Sequence, residues 1–73
     1  MMKHNSYKYK GCEIRYTIYE DNKKFSAEGR IICEHGPLAS DSPIPNDTTK
    51  IFNSHEEAEK EIKNVAEKTI DNA

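Results

Sequence analysis

The sequence predicts an α+β fold, a three-stranded antiparallel meander with one C-terminal amphipathic helix packed on one face. Three observations predict it. Residues 54–73 carry apolar side chains at steps of three and four behind a capping signal, residues 12–18 and 25–33 alternate apolar and polar, and a polar turn-forming stretch, Glu20-Asp21-Asn22-Lys23-Lys24, separates those two runs. One helix stripe and one sheet face make a single small domain over residues 1–73.

In chain order, the polar start Met1-Met2-Lys3-His4-Asn5-Ser6 is expected to be disordered. The first strand is predicted over residues 7–20, where Cys12, Ile14, Tyr16 and Ile18 alternate with Glu13, Arg15, Thr17 and Tyr19. Tyr7 and Tyr9 lie on the opposite parity, and Gly11 between the two sets suggests a bulge that switches faces. The second strand, residues 25–34, sets Phe25, Ala27, Gly29, Ile31 and Cys33 against Ser26, Glu28, Arg30, Ile32 and Glu34. Residues 35–47 hold all three prolines and read as a loop, and Thr48-Thr49-Lys50-Ile51-Phe52 as a short third strand. The helix opens on the capping box Ser54-His55-Glu56-Glu57, and Ala58, Ile62, Val65, Ala66, Thr69 and Ile70 form its apolar stripe. The predicted core is Ile14, Tyr16, Ile18, Phe25, Ala27, Ile31, Ile62, Val65, Ala66 and Ile70, with Phe52 entering beside the cap.

Two hairpin registers match the core faces. Ile18 opposite Phe25 leaves Asp21-Asn22 as a two-residue loop and sets Glu13 beside Arg30 and Arg15 beside Glu28; Ile18 opposite Ala27, with a four-residue loop, sets Arg15 against Arg30. Facing like charges cost up to about 1 kcal/mol, so the outer face favours the first register by a margin that turn strain could reverse. In that register Cys12 and Cys33 are diagonal, about 7–8 Å apart, and read as small buried hydrophobes; in the other they face one another and a disulfide is open to them.

Composition limits function. Hydrophobic residues make up 34% of the chain and charged residues 33%, with no Trp, so the core is a single layer of side chains and a deep enclosed active site is not expected. A core this small favours completion by dimerisation. Net charge is −2: residues 1–34 carry seven Lys/Arg against five Asp/Glu, and residues 35–73 carry four against eight. That leaves a mildly basic sheet half and an acidic helix half, without the concentrated basic face of a nucleic-acid-binding domain. No apolar run reaches the roughly 18 residues needed to span a bilayer, and no signal-peptide core follows the polar start, which predicts a soluble, cytoplasmic protein.

Few residues suggest chemistry. His4, His35 and His55 with the two cysteines match no short-range metal-ligand spacing, and no GxGxxG, GxxxxGK, GxSxG or HExxH occurs. Neither an enzyme nor a cofactor is expected. Glu56, Glu57, Glu59, Glu61 and Glu67 read as a solvated helix face, with Glu56–Lys60, Glu59–Lys63 and Lys63–Glu67 at ion-pair spacing. Tyr7-Lys8-Tyr9-Lys10 interleaves aromatic and basic residues, the chemistry that stacks bases and neutralises phosphates. The face left open by the helix carries Arg15, Tyr19, Arg30 and Ile32, a set suited to protein contacts.

The segment Thr48-Thr49-Lys50-Ile51-Phe52-Asn53-Ser54-His55-Glu56-Glu57-Ala58 resembles the strand and S/T-x-E-E-A helix start of HicB-type antitoxins and other small bacterial domains. The resemblance covers the last third of the chain and implies an antitoxin-like regulator, although residues 1–73 include no helix-turn-helix or ribbon-helix-helix segment and the middle loop departs from the antitoxin pattern. The strand order also resembles the later part of a double-stranded-RNA-binding domain, whose helix start is basic; here it is the acidic Ser54-His55-Glu56-Glu57-Ala58-Glu59-Lys60-Glu61, which speaks against that activity. The expected function is a non-catalytic protein-interaction module, self-association as a homodimer included. The alternatives are a nucleic-acid-binding regulator using Tyr7, Lys8, Tyr9 and Lys10, and a small accessory enzyme domain.

Overall fold

The computed structural model describes residues 2–34 and 41–72. Strands β1 (Met2–Tyr9), β2 (Cys12–Asp21), β3 (Lys24–Cys33) and β4 (Asp41–Pro43) form one antiparallel sheet in the order β1-β2-β3-β4, and helix α1 (His55–Asp71) packs on one face. The α+β class with a C-terminal helix is therefore as expected, with a short fourth strand added.

The start of the chain differs from expectation. Residues 2–6, read as disordered, are part of β1, and Gly11 marks a hairpin rather than a bulge. Lys10 (φ 48°) and Gly11 (φ 81°) form a two-residue turn whose two positive φ angles match strand twist. The turn explains the change of parity along residues 7–20: folding back pairs Tyr9 with Cys12 and Tyr7 with Ile14, which returns both tyrosines to the helix-facing side.

The β2–β3 register is the one with Ile18 opposite Ala27, so the preference for Ile18–Phe25 is overturned. The loop is tighter than the four residues expected in this register: Asp21 pairs with Lys24 around Asn22 (φ 52°) and Lys23 (φ 62°). Arg15 does face Arg30, but each guanidinium turns to an acid, Arg15 Nε to Glu13 Oε1 at 3.1 Å and Arg30 Nε to Asp41 Oδ1. The like-charge penalty is thereby reduced to less than the gain from a matched turn. The same register sets Cys12 opposite Cys33, with Cα atoms 4.2 Å apart, and the two are joined by a disulfide rather than packed as free thiols.

The expected strand over residues 48–52 is reduced to one bridge, Phe25↔Phe52. Asp47 explains this, because its carboxylate accepts from Thr49 N at 2.9 Å and its carbonyl from Lys50 N at 3.2 Å, which curls the segment into a turn. The third partner of the sheet comes instead from the predicted loop, as β4 at Asp41–Pro43; the first part of that loop, residues 35–40 with His35, lies outside the described residues.

Ser54 caps α1 as predicted, its Oγ accepting from Glu57 N at 3.1 Å. Ile14, Ile18, Ile31 and Ile62 are the largest fully buried side chains, surrounded by Tyr16, Ala27, Ala58, Ala66 and the disulfide. Phe25, Phe52, Val65 and Ile70 pack at the margin of this core, half-buried. Ile44, which the sequence hides among prolines, joins it at 4% exposure. Its Cδ1 occupies the space over Gly29, where a Cβ would collide with it and with the backbone of Arg15 and Tyr16. Glycine is required there for close approach.

Candidate interaction surface and the tyrosine seam

Strand pairing divides the sheet into two faces. Cys12, Ile14, Tyr16 and Ile18 of β2 face α1, so Glu13, Arg15, Thr17 and Tyr19 face away, next to His4, Ser6 and Lys8 of β1 and Ser26, Glu28, Arg30 and Ile32 of β3. The predicted surface residues Arg15, Tyr19, Arg30 and Ile32 thus share one face. Arg15 and Arg30 are exposed, with side chains 62% and 54% accessible, whereas Tyr19 and Ile32 are half-buried. Tyr19 Oη donates to Glu28 Oε1 at 2.5 Å, and His4 Nδ1 lies 2.8 Å from Thr17 Oγ1.

This face is concave. A hollow of about 650 Å³ opens over β2 and β3, floored by Arg15, Thr17, Glu28 and Arg30 and walled by the 43–48 segment, where Asn46 Nδ2 donates to Ala27 O at 2.8 Å. Among the described residues, neither Arg15 nor Arg30 has a partner beyond its Nε bond, which leaves the terminal guanidinium nitrogens free to donate.

The four residues proposed to contact nucleic acid are not brought together. Lys8 faces away from the helix, while Tyr7 and Tyr9 face toward it and are bonded to it. Tyr7 Oη donates to Glu67 at 2.7 Å, Tyr16 Oη to Glu59 at 2.6 Å, and Tyr9 Oη to Asp71 at 3.0 and 3.1 Å, while Lys10 Nζ reaches Asp71 at 2.6 Å. These contacts form a polar seam between the first hairpin and one side of α1. Glu59 and Glu67, expected in a solvated face, belong to it. Lys63, expected to pair with them, lies instead over the Tyr7 ring, 5.1 Å from its centroid. The seam was detectable only as tyrosines of one sheet face and acids at helix positions 59, 67 and 71, steps of eight and four, which place them along one side of a helix.

The seam governs ionisation. Burial, then the bond to Glu67, pushes the Tyr7 hydroxyl well above its ordinary range, and burial with Glu59 does the same at Tyr16. Tyr9 is raised by desolvation and Asp71, and Tyr19 by its bond to Glu28, while Lys10 holds Asp71 below the usual carboxylate range. A pKa higher in the folded than in the unfolded state stabilises the fold below about pH 10, and that contribution is lost as pH rises through the folded values. Tyrosinate absorbance of the native protein is therefore expected to rise only above pH 10, returning to about 10 in urea, with the urea midpoint falling across the same alkaline range. An ordinary native transition centred near pH 10 would contradict the seam.

Among the described residues, no group of three or more His, Cys, Asp or Glu is placed to hold a metal, and no helix is long and apolar enough to cross a membrane. His55 packs edge-on against Phe25, ring centroids 6.3 Å apart. No protein-family model, curated protein or solved structure matches the chain.

Proposed function

We propose that the protein is a non-catalytic interaction module that binds another protein through the sheet face turned away from α1. The observation that carries this reading is the pair Arg15 and Arg30, set opposite each other over the hollow and, among the described residues, fastened only through Nε. Two guanidinium forks side by side suit carboxylates of a partner, and Tyr19 and Ile32 supply amphipathic and apolar contact elsewhere on the same face. The nucleic-acid reading has weaker support, because Tyr7 and Tyr9 already spend their hydroxyls on helix acids. The buried disulfide favours an oxidising compartment over the cytoplasm expected from the sequence.

The test is affinity capture from the source cells with wild type and an Arg15→Glu/Arg30→Glu variant of unchanged circular dichroism. One protein should be enriched by the wild type and reduced at least about tenfold by the variant, the loss of roughly 1.4 kcal/mol or more of binding. Equal recovery on both would overturn the reading. A salt-sensitive gel shift by the wild type would replace it with nucleic-acid binding.

A further inference from the structure

We propose that two copies of this chain join antiparallel through the free edge of β1, with Asn5 facing Asn5 across a twofold axis, fusing two four-stranded sheets into one. The contact uses the sheet edge, not its open face, and so stands apart from the partner reading above.

The two edges of the sheet are treated differently. Beyond β3, β4 pairs with Arg30, Ile31 and Ile32; Ile44 N donates to Gly29 O at 2.9 Å; Asn46 covers Ala27 O; and Phe25 and Phe52 exchange backbone bonds at 3.0 and 2.7 Å. Pro43 and Pro45 lie along that side. β1, at the other edge, has none of these protections. It is eight residues long with neither proline nor glycine, and its pairing with β2 runs unbroken from Met2↔Tyr19 to Tyr9↔Cys12. Among the described residues nothing pairs with its outer side. A long regular edge is a template for a further strand.

The hairpin fixes which groups are on offer. Tyr9 and Cys12 flank a two-residue turn and form a hydrogen-bonded pair, so Tyr7, Asn5 and Lys3 follow as hydrogen-bonded positions toward β2. Met2, His4, Ser6 and Lys8 therefore turn their backbone N–H and C=O outward.

A second copy fits these groups. With Asn5 on the axis, His4 meets Ser6, Met2 meets Lys8 and Lys3 meets Tyr7, so no two cations face each other over residues 2–8. Sliding one step to put Ser6 on the axis sets Asn5 against Tyr7 and runs Met2 onto Lys10 of the turn; sliding the other way shortens the ladder to residues 2–6. Asn5 also gains a partner. Its Nδ2 is buried without an acceptor among the described residues, and the facing Asn5 brings a side-chain carbonyl to the axis.

The experiment is sedimentation velocity over a concentration series, with wild type and Ser6→Pro. Proline at position 6 removes one outward N–H and leaves intact the bonds from Lys3, Asn5, Tyr7 and Tyr9 to β2. The wild type should sediment as a dimer at concentrations on the order of 100 µM, and Ser6→Pro should associate at least about tenfold more weakly. A wild type monomeric throughout that range would overturn the proposal, as would a Ser6→Pro variant that dimerises equally well. Asn5→Cys provides a readout should the proline variant fail to fold. Facing itself at a non-hydrogen-bonded pair, it should give a reductant-sensitive dimer on oxidation that His4→Cys does not; absence of that dimer would overturn the register.

Discussion

Breaking the Cys12–Cys33 disulfide is expected to lower stability by about 3 kcal/mol, the loop-closure entropy regained by an unfolded chain freed of a link across 21 positions. In a domain of this size that corresponds to a fall in Tm of on the order of 15 °C. It is also a large share of the total, since a single core in a chain of about 70–80 residues rarely supplies more than about 3–5 kcal/mol. The bond lies at the end of the β2–β3 pair remote from the Asn22-Lys23 turn, so the hairpin is closed at both ends. Thermal melts with and without reductant, beside a Cys12→Ala/Cys33→Ala variant, measure the effect. The variant should match the reduced protein and be indifferent to reductant. Equal melting of oxidised and reduced wild type would show that the link contributes nothing.

Ile62→Ala should cost about 2–5 kcal/mol, the usual range for a large aliphatic side chain removed from a closed core. Ile62 is the one large side chain of α1 with no solvent exposure, and it is flanked one turn away on each side by Ala58 and Ala66, also fully buried. The small residues let the helix approach the sheet, and Ile62 belongs to the same closed core as Ile14, Ile18 and Ile31. Val65→Ala and Ile70→Ala, at half-buried margins, should cost less than half as much. Urea titrations of the three variants compare them directly; an Ile62→Ala loss no greater than that of Val65→Ala would mean the helix is held mainly at its edges.

What the sequence made legible was whatever depends on periodicity. The α1 stripe, its Ser54 cap, the inward set of β2 and β3 and the sharing of one outer face by Arg15, Tyr19, Arg30 and Ile32 all follow from steps of 3.6 or 2. What it hid depends on turns and on distant pairing. Gly11 was ambiguous because a bulge and a hairpin both reverse parity, and only the pairing of Tyr9 with Cys12 distinguishes them. The register followed the turn at Asn22-Lys23 rather than the charges, because Arg15 and Arg30 could swing to Glu13 and Asp41 while the backbone could not shift by a fraction of a residue. That register decided whether Cys12 and Cys33 met. Ile44, with a proline on either side, carried no periodic signal at all. The hollow over β2 and β3 depends on where the 43–48 segment climbs, which Asn46 and Asp47 set through hydrogen bonds that no alternation encodes.

The tyrosine seam also determines how this molecule can be watched. The chain has four tyrosines and no tryptophan. Tyr7, Tyr9 and Tyr16 carry their hydroxyls on acids of α1, and Tyr19 carries its own on Glu28 of the opposite face. Three of the four tyrosines are therefore reporters of α1 docking, and the fourth reports on Glu28, a residue of the hollow's floor, so that undocking of α1 can be followed in an unlabelled protein.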